Sequence, residues 1–178
     1  QIHDKTITIE IFGLGYVGFP LAVRLASSGL NVIGIDTNPE RIERLENNKL
    51  MDSEIHLEEN YSKCREEKNI RLQLTPFASS NSKIGIICVP TPIKGSDRAV
   101  GRKLNTDIVD EACKKAFTRG GVSRIVIRST IGPDQTSKYT KNMGAIIWPE
   151  FLRERHWKED IDNADLPMVV GGYQMDHF

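Results

Sequence analysis

The chain has 178 residues, 24 Lys plus Arg against 24 Asp plus Glu, with 39% hydrophobic and 27% charged residues. That length gives room for one compact domain with a sizeable core, and zero net charge leaves no electrostatic footprint for nucleic acid or an anionic membrane. The apolar run 84–89 is far too short to cross a bilayer and the N-terminus carries no leader pattern, while Cys64, Cys88 and Cys113, at no metal-ligand spacing, exclude a disulfide scaffold and read as reduced thiols of a cytoplasmic protein.

In chain order, the β-branched run 6–12 predicts a buried strand that runs straight into glycines. Residues 16–28 predict a helix, because Val17, Leu21 and Leu25 recur at i, i+4 and i+8. Gly29 closes it. A second strand follows over 31–36, then a helix with Asn38 as N-cap and Pro39 at its first position, ending near Asn47 and Asn48. Residues 51–69 read as one highly charged helix crossing back to the sheet, and 71–75 as a short strand. Residues 83–89 predict a central strand, since an uninterrupted apolar run implies cover on both faces.

Residues 94–104 form the one clear loop, polar and basic. A helix over 106–118, a strand over 123–129, a helix over 134–141 and a strand over 145–148 continue the alternation, with a last short strand candidate at 168–171. The fold class is therefore α/β: a doubly wound, mostly parallel sheet with helices on both faces. No linker divides the chain.

Gly13-Leu14-Gly15-Tyr16-Val17-Gly18 is a G-x-G-x-x-G between strand and helix. Gly13 permits the tight turn, Gly15 leaves room for a pyrophosphate, and Gly18 lets helix pack on strand, so that the helix N-terminus faces the phosphates. Glycine-rich turns also serve as plain bends. Asp36 ends the second strand about 20 residues later, where a carboxylate accepts hydrogen bonds from the adenosine ribose and repels a 2′-phosphate, which favours NAD over NADP. Its bland reading is a strand-end turn residue. Arg41 is close enough in sequence to pair with Asp36, stack on adenine, accept a 2′-phosphate, or stand solvated on its helix.

Residues 13–22 (GLGYVGFPLA), Val89-Pro90-Thr91-Pro92, Ser129-Thr130-Ile131 and Pro149-Glu150-Phe151-Leu152-Arg153-Glu154 occur in the order seen in the UDP-glucose/GDP-mannose dehydrogenase family, which the chain resembles over nearly all its length. The resemblance implies that residues 1–178 form a single Rossmann-type NAD-binding domain. It also implies a nucleotide-sugar substrate, UDP-glucose in the first instance, whose primary alcohol is oxidised through an aldehyde to an acid with two NAD reduced, as in UDP-glucuronate synthesis. The residues themselves support part of this. Val89-Pro90-Thr91-Pro92 leaves the carboxyl end of the central strand, where α/β sheets bind ligands, although two prolines also make a rigid exit turn. Ser129 and Thr130 end a strand on the same edge. Glu150 and Glu154 are an i, i+4 carboxylate pair suited either to proton transfer or to complementing a helix dipole.

By the resemblance, the glycine turn (Gly13, Leu14, Gly15, Tyr16, Val17, Gly18), Asp36, Arg41, Val89, Pro90, Thr91, Ser129, Thr130 and Glu154 contact NAD. Thr130 also positions a catalytic water, Glu150 takes part in acid–base steps, Glu154 lies by cofactor and substrate, and Glu150, Phe151, Leu152 and Arg153 hold the nucleotide sugar. No metal is implied.

The family's second oxidation needs a cysteine thiolate, and none of the three cysteines fits: Cys88 lies in an apolar strand, Cys64 and Cys113 in helices. The nucleophilic cysteine, the central helix and the UDP-binding domain are expected beyond Phe178, so the chain alone is expected to be inactive. Full-length members homo-oligomerise, whereas a monomer is the expectation here. Trp148 stands where a small polar residue is usual, Arg155-His156-Trp157 replaces glycine and small residues, and 51–57 lacks a Pro-Gly pair. Two other readings use the same fold: a non-catalytic nucleotide-binding module, and an NAD-dependent dehydrogenase of a small hydroxy acid.

Overall fold

A computed structural model describes residues 7–76, 83–94, 103–149 and 170–172. Strand β1 is Thr8–Phe12, β2 Asn31–Ile35, β3 Ile70–Gln73, β4 Lys83–Ile87, β5 Ile93–Lys94, β6 Lys103–Leu104, β7 Arg124–Ile127 and β8 Ile146–Ile147. Helix α1 is Gly18–Ser27, α2 Pro39–Glu46, α3 Glu58–Glu66, α4 Asp107–Lys115 and α5 Pro133–Met143. The main sheet has the order β3-β2-β1-β4-β7-β8, every neighbouring pair parallel. This is the doubly wound Rossmann-like arrangement expected from the alternation, and its strand order reverses between β1 and β4.

The side-chain period of two divides the core. Ile9 and Ile11 of β1 pack with Phe19, Ala22, Val23 and Ala26 of α1 and with Tyr61 of α3. Phe12 faces the other way, onto Val109, Ala112 and Cys113 of α4, Tyr139 of α5 and Ile87 of β4. Glu10 shares the Phe12 face and forms a buried ion pair with Lys83 on the neighbouring strand, both side chains fully enclosed. Gly120 makes room for it: a Cβ there would stand 2.5 Å from Glu10 Oε2. The sheet is thus covered on both faces, which is why 83–87 reads as an unbroken apolar run after Lys83.

Local signals place most boundaries. Asn38 accepts the Glu40 N–H at 3.0 Å and Pro39 starts α2. Gly29 at φ +85° and Gly144 at φ +60° end α1 and α5.

Three expectations are corrected. The single helix over 51–69 is a 3₁₀ turn, Asp52–Leu57, followed by α3, because Glu54 turns inward to full burial and caps the Met51 N–H at 3.1 Å. The loop 94–104 has paired ends: Ile93 lies opposite Leu104, and Lys94 opposite Lys103, in an antiparallel ladder. The strand read over 71–75 runs over 70–73, and its last two residues bend away. The candidate strand at 168–171 survives as one bridge from Gly171 to Ile147, with 168 and 169 outside the described residues. Among the described residues no helix is long and apolar enough to cross a membrane.

Candidate functional site

Ile35, Phe12, Ile87 and Ile127 stand side by side across four parallel strands. The residues that follow them form a crevice of about 1080 Å³ at the sheet's carboxyl edge. It lies at the reversal of strand order, the place where open α/β sheets take ligands.

The glycine turn forms one wall. Gly13 has φ +91°, and its N–H donates to Ile35 O at 2.8 Å. A Cβ there would meet Cys88 O at 2.8 Å, and one on Gly18 would meet Gly13 O at 1.9 Å. Both glycines are therefore required by the protein's own packing. Gly15 differs: among the described residues nothing lies within 4 Å of its Cβ position. That open space faces the crevice, which Gly15 lines with Tyr16 and Val17. The first donor into the helix is the Phe19 N–H, onto Gly15 O at 3.0 Å, and among the described residues Gly15 to Gly18 donate no backbone N–H. The start of α1 thus presents unsatisfied donors and a positive dipole end.

Leu14 is fully buried, and both its polar groups are held. Its N–H donates to Asp36 Oδ2 at 2.8 Å, and its carbonyl accepts from Arg41 Nε at 2.9 Å. Asp36 also accepts the Asn38 N–H on Oδ1 at 2.9 Å. Each carboxylate oxygen keeps a further lone pair for a ribose hydroxyl. The Arg41–Asp36 pair allowed by their spacing is not formed. Arg41 is nearly enclosed, its guanidinium bidentate to Glu54 and 5.0 Å from the centre of the Phe19 ring.

The opposite wall comes from the exits of β4 and β7, including Val89, Pro90, Thr91 and Thr130. Ser129 lines the crevice, but its hydroxyl donates to Val89 O at 2.7 Å and ties the two strand exits together. Thr130 is exposed beside it. Glu150, Phe151, Leu152, Arg153 and Glu154 lie outside the described residues.

The crevice contains residues that the sequence reading did not place there. Cys88 lies on its wall, just past β4; its thiol is pushed up to about 12 by desolvation and is no nucleophile near neutral pH. Arg128 lines the crevice with its guanidinium 3.9 Å from the centre of the Trp148 ring, and burial lowers its pKa. Leu74, Ile108 and Lys115 also line it. The only available signal was position: Arg128 immediately precedes Ser129-Thr130, whereas the α4 residues gain a crevice face only when the helix packs. Among the described residues no group of three His, Cys, Asp or Glu side chains could hold a metal ion.

A sequence model of the UDP-glucose/GDP-mannose dehydrogenase family, NAD binding domain, matches residues 7–177. The chain is 31% identical over 149 residues to a UDP-N-acetyl-D-mannosamine dehydrogenase of Methanococcus maripaludis, covering 83% of this chain and 34% of that one. It is 32% identical over 183 residues to a GDP-mannose 6-dehydrogenase of Pseudomonas savastanoi pv. phaseolicola, covering 92% and 40%. Among solved structures, a UDP-N-acetyl-mannosamine dehydrogenase from Staphylococcus aureus superposes with TM-score 0.77 at 26% identity, covering 93% of this chain and 41% of that one. A UDP-glucose dehydrogenase from Pyrobaculum islandicum gives 0.71 at 27%, covering 92% and 40%. The chain therefore spans between about a third and two fifths of the length of these relatives.

Proposed function

The chain belongs to the UDP-glucose/GDP-mannose dehydrogenase family, as its NAD-binding domain, and on that premise we propose that the Gly13–Gly18 turn holds the coenzyme diphosphate, Asp36 holds the adenosine ribose, and the β4 and β7 exits hold the nicotinamide half. The observation that carries this is Gly15. Among the described residues its Cβ space meets no protein atom, and its neighbours' helix-opening N–H groups have no protein acceptor. A diphosphate fits both facts, since it needs close backbone approach and supplies the missing acceptors.

The residues divide the work. The Asp36 carboxylate accepts from ribose hydroxyls and repels a 2′-phosphate, which selects the unphosphorylated coenzyme. Thr91 and Thr130 offer hydroxyls at the far end, where Thr130 orients a water. Arg41 acts behind the turn, holding the Leu14 carbonyl. NAD, when bound, accepts hydride from the substrate carbon. Glu150 and Glu154 carry the proton transfers, while Phe151, Leu152 and Arg153 hold a nucleotide sugar whose primary alcohol is oxidised. UDP-glucose is the substrate read from the motifs; relatives that are UDP-N-acetyl-D-mannosamine and GDP-mannose dehydrogenases set the competing substrates.

Calorimetric titration of NAD and NADP into the chain tests the coenzyme reading. One NAD site per chain is expected, with NADP at least tenfold weaker; equal affinity would overturn the role of Asp36. For the sugar, kcat/KM of the full-length protein with UDP-glucose, UDP-N-acetylmannosamine and GDP-mannose decides. A tenfold preference for either of the last two would overturn the UDP-glucose reading.

A further inference from the structure

Glu54 stands outside the crevice and in none of the motifs, yet it is among the most enclosed carboxylates described, with no exposed surface. Its Oε2 accepts from Arg41 at 3.0 Å and from the Met51 N–H at 3.1 Å, and its Oε1 accepts from the other guanidinium nitrogen at 2.5 Å. Arg41 Nε is left to reach Leu14 O, while the Phe19 ring flanks the guanidinium. A buried ion pair is weak grounds for stability, because apolar replacements often serve as well. Here the pair has a direction.

The carbonyl of Leu14 and the N–H of Gly15 belong to one planar trans peptide and point in opposite directions. Drawing the Leu14 oxygen inward onto Arg41 aims the Gly15 N–H outward. Backbone sterics do not fix that plane, because one of its two residues is a glycine with an unobstructed Cβ position. The preceding plane is held separately, by the Leu14 N–H on Asp36. Two consecutive peptides of the turn are thus oriented by side chains from two different elements, and the second is set by a guanidinium whose own orientation Glu54 dictates.

We propose that Glu54 is a positioning residue for coenzyme binding: through Arg41 it fixes the Leu14–Gly15 peptide so that the Gly15 N–H meets the diphosphate. This rests on the reading of the glycine turn as the diphosphate cradle. Glu54 touches no ligand. Its contribution therefore falls on the phosphates and spares the nucleoside.

The test compares wild type, Glu54→Gln and Arg41→Lys, each checked for folding by near-UV circular dichroism, with NAD, ADP and adenosine as separate ligands. Glu54→Gln keeps the shape but loses the charge that locks the fork, and a lysine carries all its donors on one nitrogen, without the planar fork or the separate Nε–H that reaches Leu14 O. Both variants are expected to lose at least tenfold in affinity for NAD and ADP, with adenosine changed less than twofold. Wild-type affinity for NAD in folded Glu54→Gln, or equal losses for ADP and adenosine, would overturn the proposal. If Glu54→Gln does not fold, Arg41→Lys decides by the same split. Failure of the underlying reading looks different: Gly15→Val would then bind NAD as tightly as wild type.

Discussion

The N–H of Leu14 donates to Oδ2 of Asp36 at 2.8 Å, so the carboxylate proposed to hold the ribose also holds the turn proposed to hold the diphosphate. Asp36 thereby anchors the Gly13–Leu14 peptide, while the Leu14–Gly15 peptide is left to Arg41. Nothing in the spacing of the motif requires this, since an acid at the end of β2 could reach the ribose without touching the turn.

Asp36→Ala removes the ribose acceptor and the Leu14 anchor together. A hydrogen bond to a charged group contributes about 1.5–3 kcal/mol, so a loss of about 10- to 100-fold in NAD affinity is expected from the ribose side alone. Asp36→Asn keeps an acceptor for Leu14 but presents a donor where a second oxygen stood, and it removes the charge facing a 2′-phosphate. Calorimetry with both coenzymes should show NADP gaining on NAD in both variants. An unchanged ratio would mean that the carboxylate does not face the 2′ position.

Gly15 and Gly18 belong to one motif but should fail differently. Gly18→Ala places a carbon 1.9 Å from Gly13 O, a backbone atom that cannot swing aside, and should destabilise the fold by about 3 kcal/mol or more. Gly15→Val meets no protein atom at Cβ and should melt within a few degrees of wild type while losing NAD. Thermal melts with and without NAD read both outcomes.

The Glu10–Lys83 pair lies in the middle of the sheet and touches no part of the crevice. Lys83→Met leaves the carboxylate buried without its cation and should cost about 3–5 kcal/mol. The double variant Glu10→Met, Lys83→Met should recover most of that loss in urea titrations. Burial raises the Glu10 pKa above its ordinary 4.5 despite the Lys83 bond. The folded state therefore holds a proton that the unfolded state releases, and this contribution is complete below pH 4.5 and is lost as pH rises through the folded value. Relative to the double variant, wild type should accordingly be more stable at pH 4 than at pH 7.

Cys88 and Cys113 both have thiols pushed up to about 12, by desolvation first. Cys64 is buried, with its sulfur 3.3 Å from the Ser27 hydroxyl. At pH 8 an aromatic disulfide reagent should label none of the three on the timescale of mixing, and all three after unfolding. Rapid labelling of Cys88 in the native protein would reopen it as a nucleophile, since it does line the crevice.

Much of this protein was legible from local rules. Gly13, Gly18 and Gly29 follow from backbone conformations and close approaches that few other residues tolerate, and Asn38-Pro39 from the unpaired donors of a helix start. The mostly parallel, doubly wound sheet followed less directly, from alternation and from one unbroken apolar strand, and the order of its strands came only with the structure. The hairpin of Ile93 and Leu104 was not legible, because two-residue strands carry no periodicity. Nor was the break within 51–69, where one buried glutamate decides and charge patterning points to a solvated helix.

By itself the sequence determined which residues could form a dinucleotide turn and an acid at the end of the next strand, because glycine conformation and period-two burial act within a few residues. Only the tertiary structure decided which groups those residues face. It turned Arg41 from Asp36 to Glu54 and the Leu14 carbonyl, directed the Ser129 hydroxyl onto Val89 O, and brought Cys88 and Arg128 to the crevice wall. The reason is that a long side chain at one place in the sequence reaches several partners, and the choice among them falls to whichever buried polar group would otherwise go unsatisfied.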